Sequence, residues 1–239
     1  MGKPQAWSHS KLECHDNCNW QFHEKYVAKN LPPEEKSDQQ LWGIHVHQQF
    51  EWHGSRVDYQ LPFDLTVHEP FLARLNVEGE TADVDRVEMK VALNTKFQPC
   101  AYFDDKKNLS TPRVWWRGVI DRHLVWKSEG RCKIVDYKTG KKKDDWTQLA
   151  ETAVYLFVLY PEVNLINAQF YWTEDQTFTK KVWARSEIDT LVAMYAPKLA
   201  AYAYSFKNDA WPKKQSGLCK GWCPVTSCMF WEAKKEKKW

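Results

Sequence analysis

Apolar residues along the chain follow two spacings, and the shorter one predicts a sheet. Apolar and charged residues alternate over residues 86–93, as they do in a half-buried strand. More continuous apolar runs cover residues 114–125 and 132–137 and predict two further strands joined by a short turn. A last pair of strands is predicted at residues 165–173 and 177–183, on either side of a polar turn.

The longer spacing places apolar residues on one face of a helix. It is found at residues 7–30, from Ser37 or Asp38 to about Trp52, at 145–160 and at 186–206. The second of these helices is expected to end before Gly54, and residues 55–83 show only a helical turn at 70–75. Helices, a run of strands, a helix, a strand pair and a final helix are the order expected of an α/β protein with a mixed sheet.

The composition fits one domain spanning residues 1–239. Lysine and arginine number 34 against 31 acids, and the resulting net charge of +3 permits a nucleic-acid partner without arguing for one. No apolar run approaches the roughly 20 residues of a membrane span. Residues 1–10 also lack the apolar core of a signal peptide. We therefore expect a soluble, cytoplasmic protein with no membrane partner.

Two carboxylates and a lysine on the central predicted strands carry the clearest chemical signal. Asp121 and Asp136 each follow an apolar run, and we expect each strand to end at its carboxylate. Alternate side chains of a strand share a face, so Lys138 should point the same way as Asp136. Two acids can hold a hard divalent cation, to which the backbone carbonyl of Tyr137 can add a ligand. A lysine beside them can steady an attacking water or a developing phosphoryl charge, so the set predicts metal-assisted phosphodiester cleavage.

The sequence around these residues resembles the PD-(D/E)XK nuclease superfamily and, within it, the RecB-like exonucleases. The resemblance is carried by Gly118-Val119-Ile120-Asp121-Arg122, by Val135-Asp136-Tyr137-Lys138-Thr139-Gly140-Lys141 and by Gln148 on the next predicted helix. It implies a restriction-endonuclease-like core with a mixed central sheet flanked by helices. It also implies a Mg²⁺- or Mn²⁺-dependent exonuclease that acts on single-stranded DNA or duplex ends, in DNA recombination, repair or phage DNA processing.

The resemblance adds three residues to the candidate site. His47 ends the segment Gly43-Ile44-His45-Val46-His47, which matches a helical motif whose last histidine reaches the metal. His45, two positions earlier on the helix, should point well away from it. Gln148 matches the family's glutamine on the helix after the Asp-x-Lys strand. Glu88 is a further candidate, because some relatives use an upstream acid, and its alternative is a solvent-facing strand residue.

Two features near Gln148 bear on DNA contact. Relatives carry a tyrosine four residues after this glutamine, but Thr152 stands there, and Tyr155 is the alternative about one turn further along. Lys141, Lys142 and Lys143 follow the Asp-x-Lys strand directly. These lysines either form a solvated loop or hold a phosphate of the strand being cut.

Seven cysteines, an odd number, argue against a disulfide framework and towards metal ligation or free thiols. Cys219, Cys223 and Cys228 cluster near the C-terminus and are one ligand short of a tetrahedral site. Cys100 and Cys132 fall in or beside strands and are expected to be buried thiols.

The resemblance supplies Cys18 as the missing ligand. The surrounding segment is similar to the N-terminus of iron–sulfur RecB-like nucleases, in which one N-terminal and three C-terminal cysteines hold a 4Fe–4S cluster. This implies that an N-terminal helical segment, 7–53, and a C-terminal segment, 209–239, close on each other. The C-terminal spacing is Cys-x3-Cys rather than the more usual Cys-x2-Cys. Zinc, with Cys14 or His15 as alternative ligands, and free thiols therefore remain open.

Two rival functions remain at this point. The first is a structure-specific endonuclease, and the second is a non-catalytic DNA-binding subunit that keeps the nuclease fold. An inactivated copy usually loses one of Asp121, Asp136 and Lys138, so the presence of all three argues against the second rival. The resemblance implies a bacterial or phage-infected cell, and the sequence leaves cleavage polarity and oligomeric state open.

Overall fold

The computed structural model describes residues 4–33, 35–104 and 113–233, and these contain a five-stranded mixed sheet flanked by helices. The strands are β1 (Val84–Asn94), β2 (Val114–Trp126), β3 (Arg131–Lys138), β4 (Leu165–Trp172) and β5 (Thr177–Ala184). They lie side by side in chain order, and only β3 and β4 are parallel. The prediction of an α/β core with a mixed central sheet is confirmed.

Helix α5 (Thr147–Leu159) makes the crossover that the parallel pair requires. Every residue from Leu149 to Phe157 is buried, which explains why the helix is apolar on all sides. The predicted helix at 145–160 is found within two residues of its expected bounds.

The predicted strands are found at their positions, but β2 does not end at its carboxylate. Asp121 lies inside this strand, which continues to Trp126. The continuation is held because Arg122 to Val125 pair with β1 on one side and β3 on the other. The expectation that both carboxylates end their strands is therefore wrong for Asp121, whereas Asp136 lies close to the end of β3.

Helix α3 (Asp38–Ser55) begins where the sequence predicts, with a capping box between Ser37 and Gln40. Its end differs from the prediction, because Gly54 lies within the helix. A Cβ at this position would stand 3.2 Å from Nη1 of Arg122. The glycine therefore makes room for a neighbouring side chain and does not terminate the helix.

Residues 55–83 contain more helix than the sequence predicts. A 3-10 turn (Phe63–His68) leads into helix α4 (Glu69–Glu80), with Pro70 in its first turn, where a missing N–H costs nothing. Leu72 and Leu75 of α4 are fully buried. The helix is held by this burial more than by its own sequence pattern.

Helices α3 and α4 pack against the sheet through one apolar cluster. Phe50 of α3 meets Tyr137 of β3 edge to face, with ring centroids 4.9 Å apart. Leu72 and Leu75 join Val135 in the same cluster. Burying side chains of this size contributes about 1.5–3 kcal/mol each, so the packing holds α3 firmly beside β3.

The single helix predicted at 186–206 is wrong. A 3-10 turn (Arg185–Glu187) and helix α6 (Ile188–Ala193) are separated from helix α7 (Ala196–Asn208) by a break. Pro197 lies in the first turn of α7 and has no N–H to donate back to the preceding turn. The chain therefore ends one helix before this proline and starts another.

The chain divides into two compact units, residues 36–194 and residues 1–35 with 195–239. The second unit contains α1 (His9–Asn17), α2 (Asn19–Phe22), a π-helical turn (His23–Val27), α7 and a 3-10 turn (Gly217–Cys219). The boundary at residue 35 falls inside the predicted segment 7–53, and residues 234–239 of the predicted segment 209–239 lie outside the described residues. The single domain stays a prediction.

Aromatic rings form the core of the smaller unit. Phe22 lies 5.3 Å from Tyr202, 6.1 Å from Phe206 and 6.0 Å from Trp211 between ring centroids. None of the helices among the described residues is both long and apolar enough to span a bilayer.

A buried arginine ties α4 to the sheet. The Arg122 guanidinium donates to both carboxylate oxygens of Asp85, at 3.0 and 2.6 Å, and to Oδ1 of Asn76 at 2.6 Å. A buried charge is tolerated only when its hydrogen bonds are satisfied in this way. Gly79 leaves the space, since a Cβ there would stand 2.2 Å from Oδ2 of Asp85.

We predict that Gly79→Ala destabilises the protein although alanine is the better helix former. The added Cβ must displace the Asp85 carboxylate and so weaken its ion pair with Arg122, at a cost of about 1–3 kcal/mol. Denaturant unfolding of the two proteins measures the difference. Gly140→Ala is the control, because a Cβ there meets nothing within 4 Å. Equal stability of the Gly79 variant and wild type would contradict this account of the packing.

Candidate active site

Strands β2 and β3 part at the point where the two predicted carboxylates meet. Their pairing ends at Arg122 and Val135, so the next residues in register are Asp121 and Asp136. The Tyr137 N–H donates instead to Oδ2 of Asp121 at 2.7 Å. This buried hydrogen bond holds the Asp121 carboxylate where the strands separate.

Strand β1 brings Glu88 to the same place. The β1–β2 register puts Glu88 across from Asp121, and its neighbours on both sides keep that register. Glu88 itself has a left-handed backbone, with φ of 48°. A non-glycine residue in this region costs about 1–3 kcal/mol, and such strain is concentrated at functional sites. The position of Glu88 favours its role as an additional site residue over that of a solvent-facing strand residue.

Helix α3 contributes His47. Its Nδ1 lies 3.4 Å from Oδ2 of Asp121 and 3.6 Å from Oε1 of Glu88. One ligand atom from each of these three residues lies within 4.8 Å of the other two. No other set of three histidine, cysteine or carboxylate ligands is gathered this closely among the residues that the structure describes.

The close approach of α3 depends on Gly43. A Cβ on Gly43 would stand 3.1 Å from Oγ1 of Thr139, which directly follows Lys138. A larger residue would therefore push the start of α3 away from the end of β3. His45 points elsewhere, as predicted from helix geometry, with Nε2 3.9 Å from a carboxylate oxygen of Asp64.

The electrostatics show that this cluster favours a positive charge. Burial would lower the pKa of His47, but the Asp121 and Glu88 carboxylates outweigh it and raise the pKa to about 10. Burial raises the pKa of the Glu88 carboxyl, against the opposing effect of the His47 hydrogen bond. Clustered carboxylates resist ionising together unless a cation lies between them. The carboxylates that raise the pKa of His47 would equally favour a bound cation.

Asp136, Lys138 and Gln148 form the adjoining part of the site. Lys138 Nζ lies 2.6 Å from Oδ1 of Asp136 and donates to Oε1 of Gln148 at 2.6 Å. Burial raises the pKa of Asp136, which the Lys138 ammonium opposes. The ion pair with Lys138 thus occupies Oδ1 of Asp136, and the role of Asp136 as a metal ligand stays a prediction.

These donors fit a divalent cation. Carboxylate oxygens suit Mg²⁺ and Mn²⁺, and an imidazole nitrogen is also an accepted ligand for transition ions. His47, Glu88 and Asp121 would hold the ion, with the Asp136–Lys138 ion pair beside them. The role of the Tyr137 carbonyl as a ligand stays a prediction.

Two residues downstream of Gln148 make contacts of their own. Thr152 donates its hydroxyl to the backbone carbonyl of Gln148 one turn earlier, at 3.0 Å. Tyr155 is buried with its ring centroid 5.6 Å from that of Trp116. The role of Tyr155 in place of the tyrosine that relatives carry stays a prediction. Lys141, Lys142 and Lys143 are exposed between β3 and α5, where a phosphate could reach them.

The four predicted cluster ligands come together in the smaller unit. Cys18, Cys219, Cys223 and Cys228 all line one cavity. Burial raises the pKa of the Cys223 thiol, and the other three thiols are close enough to add to the rise. The Ser216 N–H also donates to Sγ of Cys219 at 3.4 Å.

The alternative ligands do not line this cavity. His15 is buried and contacts Ser205 at 3.0 Å and Asn19, within the aromatic core. Cys14 lies on α1 and is absent from the cavity lining. Of the two predicted structural thiols, Cys132 is fully buried and Cys100 partly so.

Arg122 directly follows Asp121 but is not among the predicted site residues. It holds β2 to α4 from the position next to the ligand cluster. Two adjacent charged residues, Asp121 and Arg122, inside the largely apolar run of residues 114–125 are the signal that marks this position.

Comparisons with known proteins identify the family and a similar fold. A model of the PD-(D/E)XK nuclease superfamily matches residues 6–228. The crystal structure of a "Putative exonuclease" from Eubacterium rectale aligns with a TM-score of 0.52 and 12% identity, over 88% of this chain and 84% of that chain. A second structure, SSO0001, aligns at 10% identity over 96% of this chain and 88% of that chain, but its TM-score of 0.41 is too low to argue from. No curated protein matches the sequence.

We predict that Glu88→Gln weakens Mn²⁺ binding at least about tenfold, because it removes one charged ligand from the cluster. Calorimetric titration of the purified protein with Mn²⁺ measures the affinity. Glu51→Gln is the matched control, since Glu51 lies one turn beyond His47 and outside the ligand cluster. An equal loss of affinity in both variants would mean that only the general negative charge matters.

Proposed function

The chain belongs to the PD-(D/E)XK nuclease superfamily, and we propose that it is a divalent-metal-dependent DNA exonuclease. The observation that carries the proposal is the gathering of His47, Glu88 and Asp121 beside the Asp136–Lys138 pair. Membership in the superfamily supports a nuclease with a nucleic-acid substrate, and the likeness to the Eubacterium rectale structure supports the fold.

The proposed cation-binding residues and Lys138 have different roles in the reaction. A bound Mg²⁺ or Mn²⁺ would lower the pKa of a ligated water and neutralise charge on the scissile phosphate. Asp121, Glu88 and His47 hold the ion, and the strained backbone of Glu88 keeps its carboxylate in place. Lys138 orients the attacking water and stabilises the negative charge that develops on the phosphoryl oxygens.

Gln148 positions Lys138. The side-chain oxygen of Gln148, Oε1, accepts a hydrogen bond from Nζ of Lys138. The other polar contact of this Nζ among the described residues is the Asp136 carboxylate. Two acceptors on different elements restrict a long and flexible side chain to one orientation. The Lys138 ammonium is therefore held at the edge of the ligand cluster before substrate binds.

We place DNA along the segment that joins β3 to α5. Lys141, Lys142 and Lys143 are exposed there, a few residues beyond Lys138, and can neutralise phosphates of the strand being cut. The substrate is a single strand or a duplex end, and the setting is DNA recombination, repair or phage DNA processing. A structure-specific endonuclease and a non-catalytic DNA-binding subunit are the alternatives.

We predict that Lys138→Ala lowers divalent-dependent DNA degradation by about 10²–10³-fold or more, because it removes the charge-stabilising donor. End-labelled single- and double-stranded DNA with Mg²⁺ or Mn²⁺ provides the assay. Lys127→Ala is the control, since Lys127 is exposed and pairs with Glu162 at 3.6 Å. Undiminished cleavage by a folded Lys138 variant would remove Lys138 from the site.

Circular single-stranded DNA separates the alternatives in the same assay. An exonuclease leaves the circle intact and degrades the linear form. An endonuclease opens the circle. A wild-type protein that binds DNA but cleaves neither form would support the non-catalytic alternative.

We also propose that Cys18, Cys219, Cys223 and Cys228 hold a 4Fe–4S cluster. The support is that all four line one cavity in a unit formed by both ends of the chain. Four thiolates are the usual ligands of such a cluster. Binding would join the two chain segments and stabilise the unit, as metal does when its site exists only in the folded state.

We predict that Cys228→Ser removes most of the iron and lowers the melting temperature, because one cluster ligand is lost. Iron and acid-labile sulfide are measured on protein purified without oxygen, alongside the visible absorbance. Cys100→Ser is the control, because Cys100 does not line the cavity and should keep the iron content of wild type. Stoichiometric zinc and no iron in wild type would overturn the cluster assignment.

A further inference from the structure

A cavity of about 420 Å³ is lined by none of the three residues of the ligand cluster. Lys133 lines it, three residues before Asp136 on the same strand. The register of β3 with β4 is unbroken over this stretch, so the side chains of Lys133 and Asp136 point to opposite faces of the strand. The cavity is therefore distinct from the ligand cluster, and its size is within the range of small-molecule sites.

The walls of this cavity are cationic. Together with a smaller adjoining cavity of about 150 Å³, it is lined by Arg74, Arg131, Lys133 and Lys180. Glu78 is the single carboxylate that lines them. Arg131 and Lys133 are each held by a carboxylate. Lys180 and Arg74 are paired with no carboxylate among the residues that the structure describes, so they are available to an anion.

An amide without a hydrogen-bond partner among the described residues faces both cavities. Gln169 is only 6% exposed and lines each of the two cavities. Its side-chain amide makes no hydrogen bond to any described residue and faces the open space of the cavities. The Gln169 amide is therefore placed to bind a ligand that offers both a donor and an acceptor.

The smaller cavity adds an aromatic wall. Phe71 and Phe178 line it, with ring centroids 5.0 Å apart in an edge-to-face arrangement. It shares Lys133, Gln169 and Lys180 with the larger cavity. A planar ring can pack on such a wall, and bases do so with little regard to sequence.

We propose that the two cavities, together called the α4 pocket, bind a mononucleotide. The phosphate lies against Arg74 and Lys180, the base packs towards Phe71 and Phe178, and the Gln169 amide hydrogen-bonds the base edge. Cations, a free amide and an aromatic wall match the phosphate and the base of one ligand. The proposal does not depend on the nuclease reaction, because none of these residues belongs to the metal cluster.

Calorimetric titration of the full chain with dAMP tests the proposal, after divalent ions have been removed on a chelating resin. We expect saturable binding of one dAMP per chain. Lys180→Glu and Gln169→Leu should each weaken it by about tenfold or more, the loss expected for one charge-assisted or buried hydrogen bond. Lys181→Glu is the matched control, because Lys181 is the next residue of β5, is exposed and does not line the pocket.

The Gln169→Leu variant distinguishes a loss of the binding contact from a loss of binding caused by unfolding. It replaces an amide that makes no hydrogen bond to the protein with an apolar side chain of similar size, so the variant should be about as stable as wild type. Melting curves without ligand check this. The absence of saturable dAMP binding to wild type overturns the proposal, as does an equal loss in the Lys181 variant.

Two parallel titrations distinguish the sources of phosphate. Inorganic phosphate should bind more weakly than dAMP, and equal affinities would contradict the role of the aromatic wall. A short single-stranded oligonucleotide should show no preference for this pocket. If it binds more tightly than dAMP and loses affinity in Lys180→Glu, the pocket holds a DNA strand and the mononucleotide proposal is wrong.

Discussion

The hydrogen bond from the Tyr137 N–H to the Asp121 carboxylate is the contact on which the candidate site depends. A carboxylate inside a strand is costly to bury unless it is hydrogen-bonded. Where β2 and β3 part, the Tyr137 N–H loses its backbone acceptor, and the Asp121 carboxylate takes that place. The same carboxylate is one of the three members of the ligand cluster. Arg122, the next residue, holds β2 to α4. Two neighbouring side chains thus fix the strand on which the site is built.

The strands and the buried crossover helix follow from the sequence because their signals are local. Alternating and continuous apolar runs identify all five strands, and they do so without knowledge of the neighbours. The misplaced boundaries have tertiary causes. Helix α3 continues through Gly54, where the missing side chain makes room for Arg122. Strand β2 continues past Asp121 because the residues that follow pair with both β1 and β3. Neither cause can be inferred from the segment that it affects.

The candidate site shows the same division. Asp121, Asp136 and Lys138 follow from two strand patterns, whereas His47 and Gln148 follow only from resemblance to a family. The sequence leaves Glu88 either at the site or facing solvent, because its orientation depends on a left-handed backbone that an ordinary alternating strand does not predict. The sequence also does not predict that the Gln169 amide lacks a hydrogen-bond partner. That depends on which side chains surround it in the folded chain.

The central claim is that Asp121, Glu88 and His47 form the ligand cluster of a divalent cation. A crystal structure of wild-type protein grown with Mn²⁺, with anomalous scattering recorded at the manganese edge, tests this most directly. The account predicts one strong peak within coordination distance of the Asp121 carboxylate, with Nδ1 of His47 turned towards the ion. A peak remote from Asp121, or none at saturating Mn²⁺, would contradict it.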